Sequence, residues 1–121
     1  MKALLLIFLG GGIGSVFRFL VSKYTSSLWN KSFPLGTFLV NIIGCLLIGF
    51  LFSYFAKNQN NQYFTFLLIT GFCGGFTTFS TFSLENYQLY QNQNYFILIT
   101  YIALSIFIGL LCTFIGIKLA K

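Results

Sequence analysis

The sequence contains no histidine and a single acidic residue, Glu85, among its 121 positions. One carboxylate cannot supply the paired acid and base of a carboxylate-based hydrolase. Without imidazole, the Ser-His-Asp and Cys-His nucleophile systems and histidine metal sites are excluded as well. Charge of both signs is scarce: 7% of residues are charged, where a water-soluble domain carries about a quarter. Proline occurs once, and the three cysteines show no CxxC spacing. Cys45, Cys73 and Cys112 lie in apolar stretches and read as small helix residues without a redox role. What is present is bulk: 57% hydrophobic residues, 17 phenylalanines, 12 glycines and a mean hydropathy of +0.86. So few charges cannot cover a water-facing surface. The composition predicts a non-enzymatic, all-α membrane protein with one domain over residues 1–121.

The charges punctuate the chain. Between Lys31 and Lys57 lie 25 uncharged residues, between Lys57 and Glu85 lie 27, and between Glu85 and Lys118 lie 32. A helix needs roughly 20 apolar residues to cross a bilayer, so four spans are expected at about 3–22, 34–56, 63–85 and 95–117. The connections are polar: Tyr24 to Ser32, Lys57 to Gln62 with Asn58, Gln59, Asn60 and Asn61 between, and Gln88 to Asn94. Pro34 fits the first turn of the second helix, where its missing N–H costs nothing. The first apolar run is broken by Gly10-Gly11-Gly12 and Arg18, unlike a cleaved leader.

Four spans place both termini on the side of the second loop, with Lys2, Lys57, Lys118 and Lys121. The opposite side holds Lys23, Lys31 and, if it reaches that interface, Arg18, so the balance is four against three. The positive-inside rule needs an asymmetry. Near parity leaves open either insertion in both orientations with antiparallel self-pairing, or a narrow preference for the four-lysine side in the cytosol. A net charge of +6 spread over two faces does not make a nucleic-acid patch.

Gly10/Gly14 and Gly71/Gly75 have the small-xxx-small spacing that lets helix backbones approach closely. Gly10 to Gly14 has the look of a phosphate-binding loop but lacks the strand and acid that such a loop requires. The third span is the irregular one. From Gly71 through Ser83 it holds three glycines and five hydroxyl residues at expected bilayer depth. That composition predicts either a helix break lining a wet cavity or a flexible packing seam. Carbonyls exposed at such a break can hold a small cation, and a half-helix N-terminus attracts anions.

Phe79 and Phe82 follow, three apart and so on one helical face. An aromatic ring carries a positive edge, and ring edges turned to a pathway would favour a small anion without trapping it. Asn41, mid-span in the second helix, is costly there and reads either as an anion donor or as an interhelical hydrogen-bond partner. Tyr101 and Ser105, followed by Gly109 and Thr113, form one row on the fourth span. It is either a hydroxyl track or a seam whose hydroxyls bond back to their own helix. Arg18 either snorkels to the interface or draws anions into a vestibule.

At these residues the sequence resembles the Fluc/CrcB fluoride channels along essentially its whole length. Gly10-Gly11-Gly12-Ile13-Gly14-Ser15-Val16-Phe17-Arg18, Pro34 through Gly44 with Gly36, Thr37 and Asn41, and Gly74-Gly75-Phe76-Thr77-Thr78-Phe79-Ser80-Thr81-Phe82 match three separate family motifs. The resemblance implies passive fluoride export across the bacterial cell membrane by an antiparallel dual-topology dimer with two pores. It implies that Phe79 and Phe82 are the pore-lining "Phe-box" rings, that Asn41 is the pore amide, and that Ser80 and Thr81 form a polar track which Tyr101 and Ser105 extend. It further implies that carbonyls of Gly74 and Thr77 from both subunits hold one structural Na⁺. The second subunit is another copy of this chain or a paralogue, and near-even charge favours the copy. Gly109 departs from the family where a hydroxyl is expected, and Cys45 and Phe19 replace more usual Ser and Tyr.

Two other classes share parts of this pattern. A small dual-topology multidrug transporter needs a membrane-embedded carboxylate for proton exchange, and Glu85 is expected at the edge of the third span. A non-transporting membrane subunit would use the glycines but leave Asn41, Phe79 and Phe82 unexplained.

Overall fold

The computed structural model describes residues 1–58 and 62–121, so Gln59, Asn60 and Asn61 of the expected second loop lie outside the described residues. The chain is all-helical over those residues, with four segments long and apolar enough to cross a membrane. Helix α1 spans Lys2–Leu28 and α2 spans Leu35–Lys57. The third span, Gln62–Gln91, is two helical pieces. The leading piece, α3 (62–76), runs through Gln62–Phe64, a wider π-helical stretch Thr65–Cys73, and Gly74–Phe76. The trailing piece, α4, is Phe79–Gln91, and α5 is Tyr95–Leu119.

Two boundaries differ from expectation. α1 continues six residues past position 22, because the hydroxyls of Thr25, Ser26 and Ser27 donate to the carbonyls of Val21, Lys23 and Tyr24 at 2.7–3.0 Å. Their polarity marks where the helix leaves hydrocarbon, since a hydroxyl bonded to its own helix is compatible with helical backbone. At 27 residues α1 is about 40 Å long, more than a hydrocarbon core requires. The third span likewise runs on to Gln91, and the turn into α5 closes within three residues through Gln93, whose φ is 60°. The interruption of the third span falls inside the expected stretch from Gly71 to Ser83, at its threonines. Gly74 and Gly75 are helical, and the extended residues are Thr77 (φ −88°, ψ 160°) and Thr78 (φ −151°, ψ 122°).

The glycines serve packing instead. A Cβ on Gly10 would run into the Leu67 carbonyl, and one on Gly75 into the Gly11 carbonyl. The two small-xxx-small pairs therefore face each other and bring α1 and α3 into backbone contact, the close approach expected of such spacing. A second seam joins α2 to α5, where Gly49 abuts the Thr113 backbone and Gly116 the Leu46 carbonyl. Few large side chains are fully buried; Val40, Cys73 and Tyr101 are the chief ones. Most leucines and phenylalanines of α1 and α5 face outward, as a lipid-bathed surface allows.

Candidate functional site

The interruption at Thr77–Thr78 organises the site. Two extended residues inside a span leave backbone groups that hydrocarbon cannot satisfy. Asn41 on α2 meets them: Thr78 N–H donates to Asn41 Oδ1 at 2.8 Å, and Asn41 Nδ2 donates to the Thr78 carbonyl at 3.1 Å. The Thr78 hydroxyl accepts from the Thr81 N–H at 3.2 Å and so caps α4. It also donates to Thr81 Oγ1 at 3.1 Å. On the other side of the break, both the N–H and the hydroxyl of Thr77 end on the Cys73 carbonyl, at 3.1 and 2.9 Å.

Beside the break, a groove of about 560 Å³ runs between α2, the third span and α5. It brings together Asn41, Gly74, Thr77, Phe79, Phe82 and Ser105. Phe79 is 78% exposed, with its ring centroid 5.8 Å from that of Phe82. Phe82 in turn meets Tyr101 edge to face at 5.0 Å, and Tyr101 meets Phe33 at 5.3 Å. Such T-shaped pairs are the arrangement ring quadrupoles prefer, and they fix the angle of the Phe82 ring. The Ser105 hydroxyl is buried and has no hydrogen-bond partner among the described residues.

A second cavity of about 710 Å³ opens at the far end of α4. Lys23, Lys31, Thr37, Thr81 and Glu85 are among the residues lining it. The Lys31 ammonium sits 5.0 Å above the Trp29 ring, and Trp29 Nε1 donates to the Phe33 carbonyl at 3.0 Å. Glu85 accepts a hydrogen bond from the Tyr101 hydroxyl at 3.2 Å.

Not every sequence-predicted residue joins the groove. Tyr101 is fully buried behind Phe82 and lines neither cavity, and its neighbours Phe33 and Glu85 line the second. Thr81 lines that second cavity, and Ser80 lines neither, although its hydroxyl is 3.3 Å from that of Thr78. Arg18, half-buried on α1, lines neither cavity. The row on α5 divides. Ser105 opens to the groove, whereas Thr113 donates back to the Gly109 carbonyl at 3.1 Å, and a Cβ on Gly109 would meet Cys45 Sγ at 3.4 Å. Its outer half is therefore a packing seam, which is where a glycine replaces the expected hydroxyl. Asn41 is an interhelical hydrogen-bond partner through its contacts with Thr78.

Two residues escaped the sequence reading. Thr78 carries an N-cap signal, a threonine directly ahead of a helical run. Glu85, the lone acid of the chain, lies inside the third span and not at its edge, because α4 runs on to Gln91.

Residues 5–117 match the family described as "CrcB-like protein, Camphor Resistance (CrcB)". A Flavobacterium psychrophilum protein named fluoride-specific ion channel FluC is 49% identical over 122 residues, covering 100% of this chain and 98% of the relative. Proteins of the same name from Gloeothece citriformis and Phocaeicola vulgatus are 47% and 46% identical over 121 residues, each covering 100% of this chain and 98% and 100% of the relatives. These relatives are named as ion channels, a class without catalytic activity. Four apolar helices and these relatives place the chain in the bacterial cell membrane as a multi-pass protein. With its family motifs on the break and its full length matched, the chain belongs to the CrcB-like family.

Proposed function

We propose that this protein is a fluoride channel that passively exports cytoplasmic fluoride after HF enters from an acidic exterior and dissociates. The observation that carries the reading is the groove at the interrupted third span, where Phe79, Phe82, Asn41 and Ser105 converge without an acidic side chain. Ring edges and neutral donors bind a small anion weakly and repeatedly, as conduction requires. Asn41 gives one amide hydrogen to Thr78, and its second is available to an anion. Ser105, Ser80 and Thr81 continue the polar path toward the second cavity. Tyr101 sets the Phe82 ring from behind, and Arg18 adds positive potential. The relatives' printed name supports fluoride as the ion.

The functional unit in this reading is an antiparallel dual-topology dimer with two pores, formed with a second copy or a paralogous subunit. Helix α4 supports it: Ser80, Thr81 and Ser83 are exposed on the protomer, and a run of exposed hydroxyls is poorly suited to lipid. The near-even charge of the two faces supports pairing of opposite orientations. Gly74 and Thr77 line the groove, and main-chain carbonyls are the oxygen donors a hard cation takes. They would hold one Na⁺ with their counterparts in the second subunit, neutralising carbonyl dipoles at the break without entering the conducted path.

Purified protein in liposomes loaded with fluoride tests the function. Rapid, electrogenic efflux that excludes chloride and ignores a pH gradient is expected. Absence of efflux overturns the channel, and efflux coupled to protons reassigns the protein to the small multidrug-type transporters, with Glu85 as the exchanging group.

A further inference from the structure

An uninterrupted helix through the third span would direct each N–H to the carbonyl four residues earlier. Thr78 N–H would then donate to the Gly74 carbonyl, and Thr81 N–H to the Thr77 carbonyl. Neither does so. Thr78 N–H goes to Asn41 Oδ1 at 2.8 Å, and Thr81 N–H goes to the Thr78 hydroxyl at 3.2 Å. Two side chains have thus drawn away the two donors that helical geometry assigns to these two carbonyls.

We infer that Asn41 and Thr78 are positioning residues that keep the Gly74 and Thr77 carbonyls open for a hard cation by diverting their helical N–H donors. The inference rests on the cation reading of those carbonyls but not on fluoride as the conducted ion. Each diverter is itself held. The Asn41 amide is bound at both ends, because its Nδ2 also donates to the Thr78 carbonyl at 3.1 Å. The Thr78 side chain is 8% exposed and donates onward to Thr81 Oγ1 at 3.1 Å. The Thr77 hydroxyl, the nearest polar side chain, is turned back onto Cys73. What Thr77 offers the break is therefore its main-chain oxygen. At Gly74, a Cβ would meet nothing within 4 Å, so the approach to that residue is open. Replacing Thr78 by a residue without a hydroxyl leaves Thr81 N–H without its cap acceptor and free to compete for the Thr77 carbonyl. Replacing Asn41 does the same for Thr78 N–H and Gly74.

The test is Na⁺-dependent thermal unfolding of the purified full chain, with NaCl titrated against N-methyl-D-glucamine chloride. The unaltered protein is expected to be protected by Na⁺ with a definable half-maximal concentration. Thr78→Val and Asn41→Leu are expected to raise that concentration at least about tenfold, the scale on which supporting partners act at metal sites. Thr78→Ser, which keeps the cap, is expected to retain the parental value. Thr78→Cys, which has the shape of the Ser variant but a poor acceptor in place of the hydroxyl, is expected to fold and to fall between Ser and Val. Parental half-maximal values in folded Val and Cys variants overturn the inference, as does a Ser variant no better than Val. An unaltered protein indifferent to Na⁺ also overturns it. Fluoride efflux measured separately in liposomes distinguishes the two readings. Na⁺ protection without efflux leaves the positioning roles standing and removes the channel, and efflux without Na⁺ protection does the reverse.

Discussion

The two halves of the third span do opposite things with the same raw materials. Helix α3 presses its glycines backbone-to-backbone against α1, with Gly10 on Gly71 and Gly11 on Gly75, so that adding a single carbon collides with main chain. Helix α4 has only Leu89 fully buried and presents hydroxyls, a carboxylate and two phenylalanine rings to cavities and open surface. Main-chain contacts have no rotamers with which to yield, so α3 anchors the fold. Side chains beside open space can rearrange, and α4 carries those that face the two cavities. The two extended threonines between them keep a rigid seam and an open face within one crossing.

Substitutions on the two sides separate these roles. Gly75→Leu carries the largest effect: it sets a side chain against the Gly11 carbonyl and is expected to destabilise the protein by about 3 kcal/mol. Loss of a folded species in size-exclusion chromatography in detergent checks it. A stable Gly75→Leu protein would break the contrast. Phe82→Ile is expected to leave the folded species intact and slow fluoride efflux at least about 100-fold, which is about 2.7 kcal/mol of barrier. Unchanged efflux from liposomes would remove the ring-edge explanation. Tyr101→Phe keeps the ring contacts with Phe82 and Phe33 but deletes the hydroxyl bonded to Glu85. A loss of about 1–2 kcal/mol is expected, read as a lowered thermal midpoint, with a smaller effect on efflux than Phe82→Ile. Gly12→Ala, at an exposed helical position where a Cβ meets nothing within 4 Å, is the control. It is expected to be neutral or to stabilise by less than about 1 kcal/mol, because alanine is the better helix former. Destabilisation there would show that the face of α1 away from α3 is packed as well.

Much of this was legible in the sequence because it depends on composition and spacing alone. Two spans, 34–56 and 95–117, fall within about two residues of the observed α2 and α5, since each is a long apolar run ended by charge or amide. That Gly10/Gly14 and Gly71/Gly75 sit in close helix contacts follows from spacing, whereas their facing each other is seen only in the packed structure. Asn41, Phe79, Phe82 and Ser105 do share one groove. The stretch that breaks was legible, but not the peptide: Gly74-Gly75 is weakest by propensity, yet those residues stay helical while two β-branched threonines are extended. Propensity describes an isolated helix. The Asn41 amide, 37 positions earlier in sequence, decides which peptide can leave the helix with its hydrogen bonds kept.

What the sequence determined by itself is the solvent and the number of crossings: one acid, no histidine and four long apolar runs have no stable arrangement other than helices in a bilayer. Tertiary structure alone decided that Tyr101 packs behind the Phe82 ring, that Thr113 closes a seam, and that Thr78 caps α4. Each of these depends on which neighbour reaches a polar atom first. Where water is absent, every N–H and C=O must find a partner inside the protein, and only the packed chain determines which one.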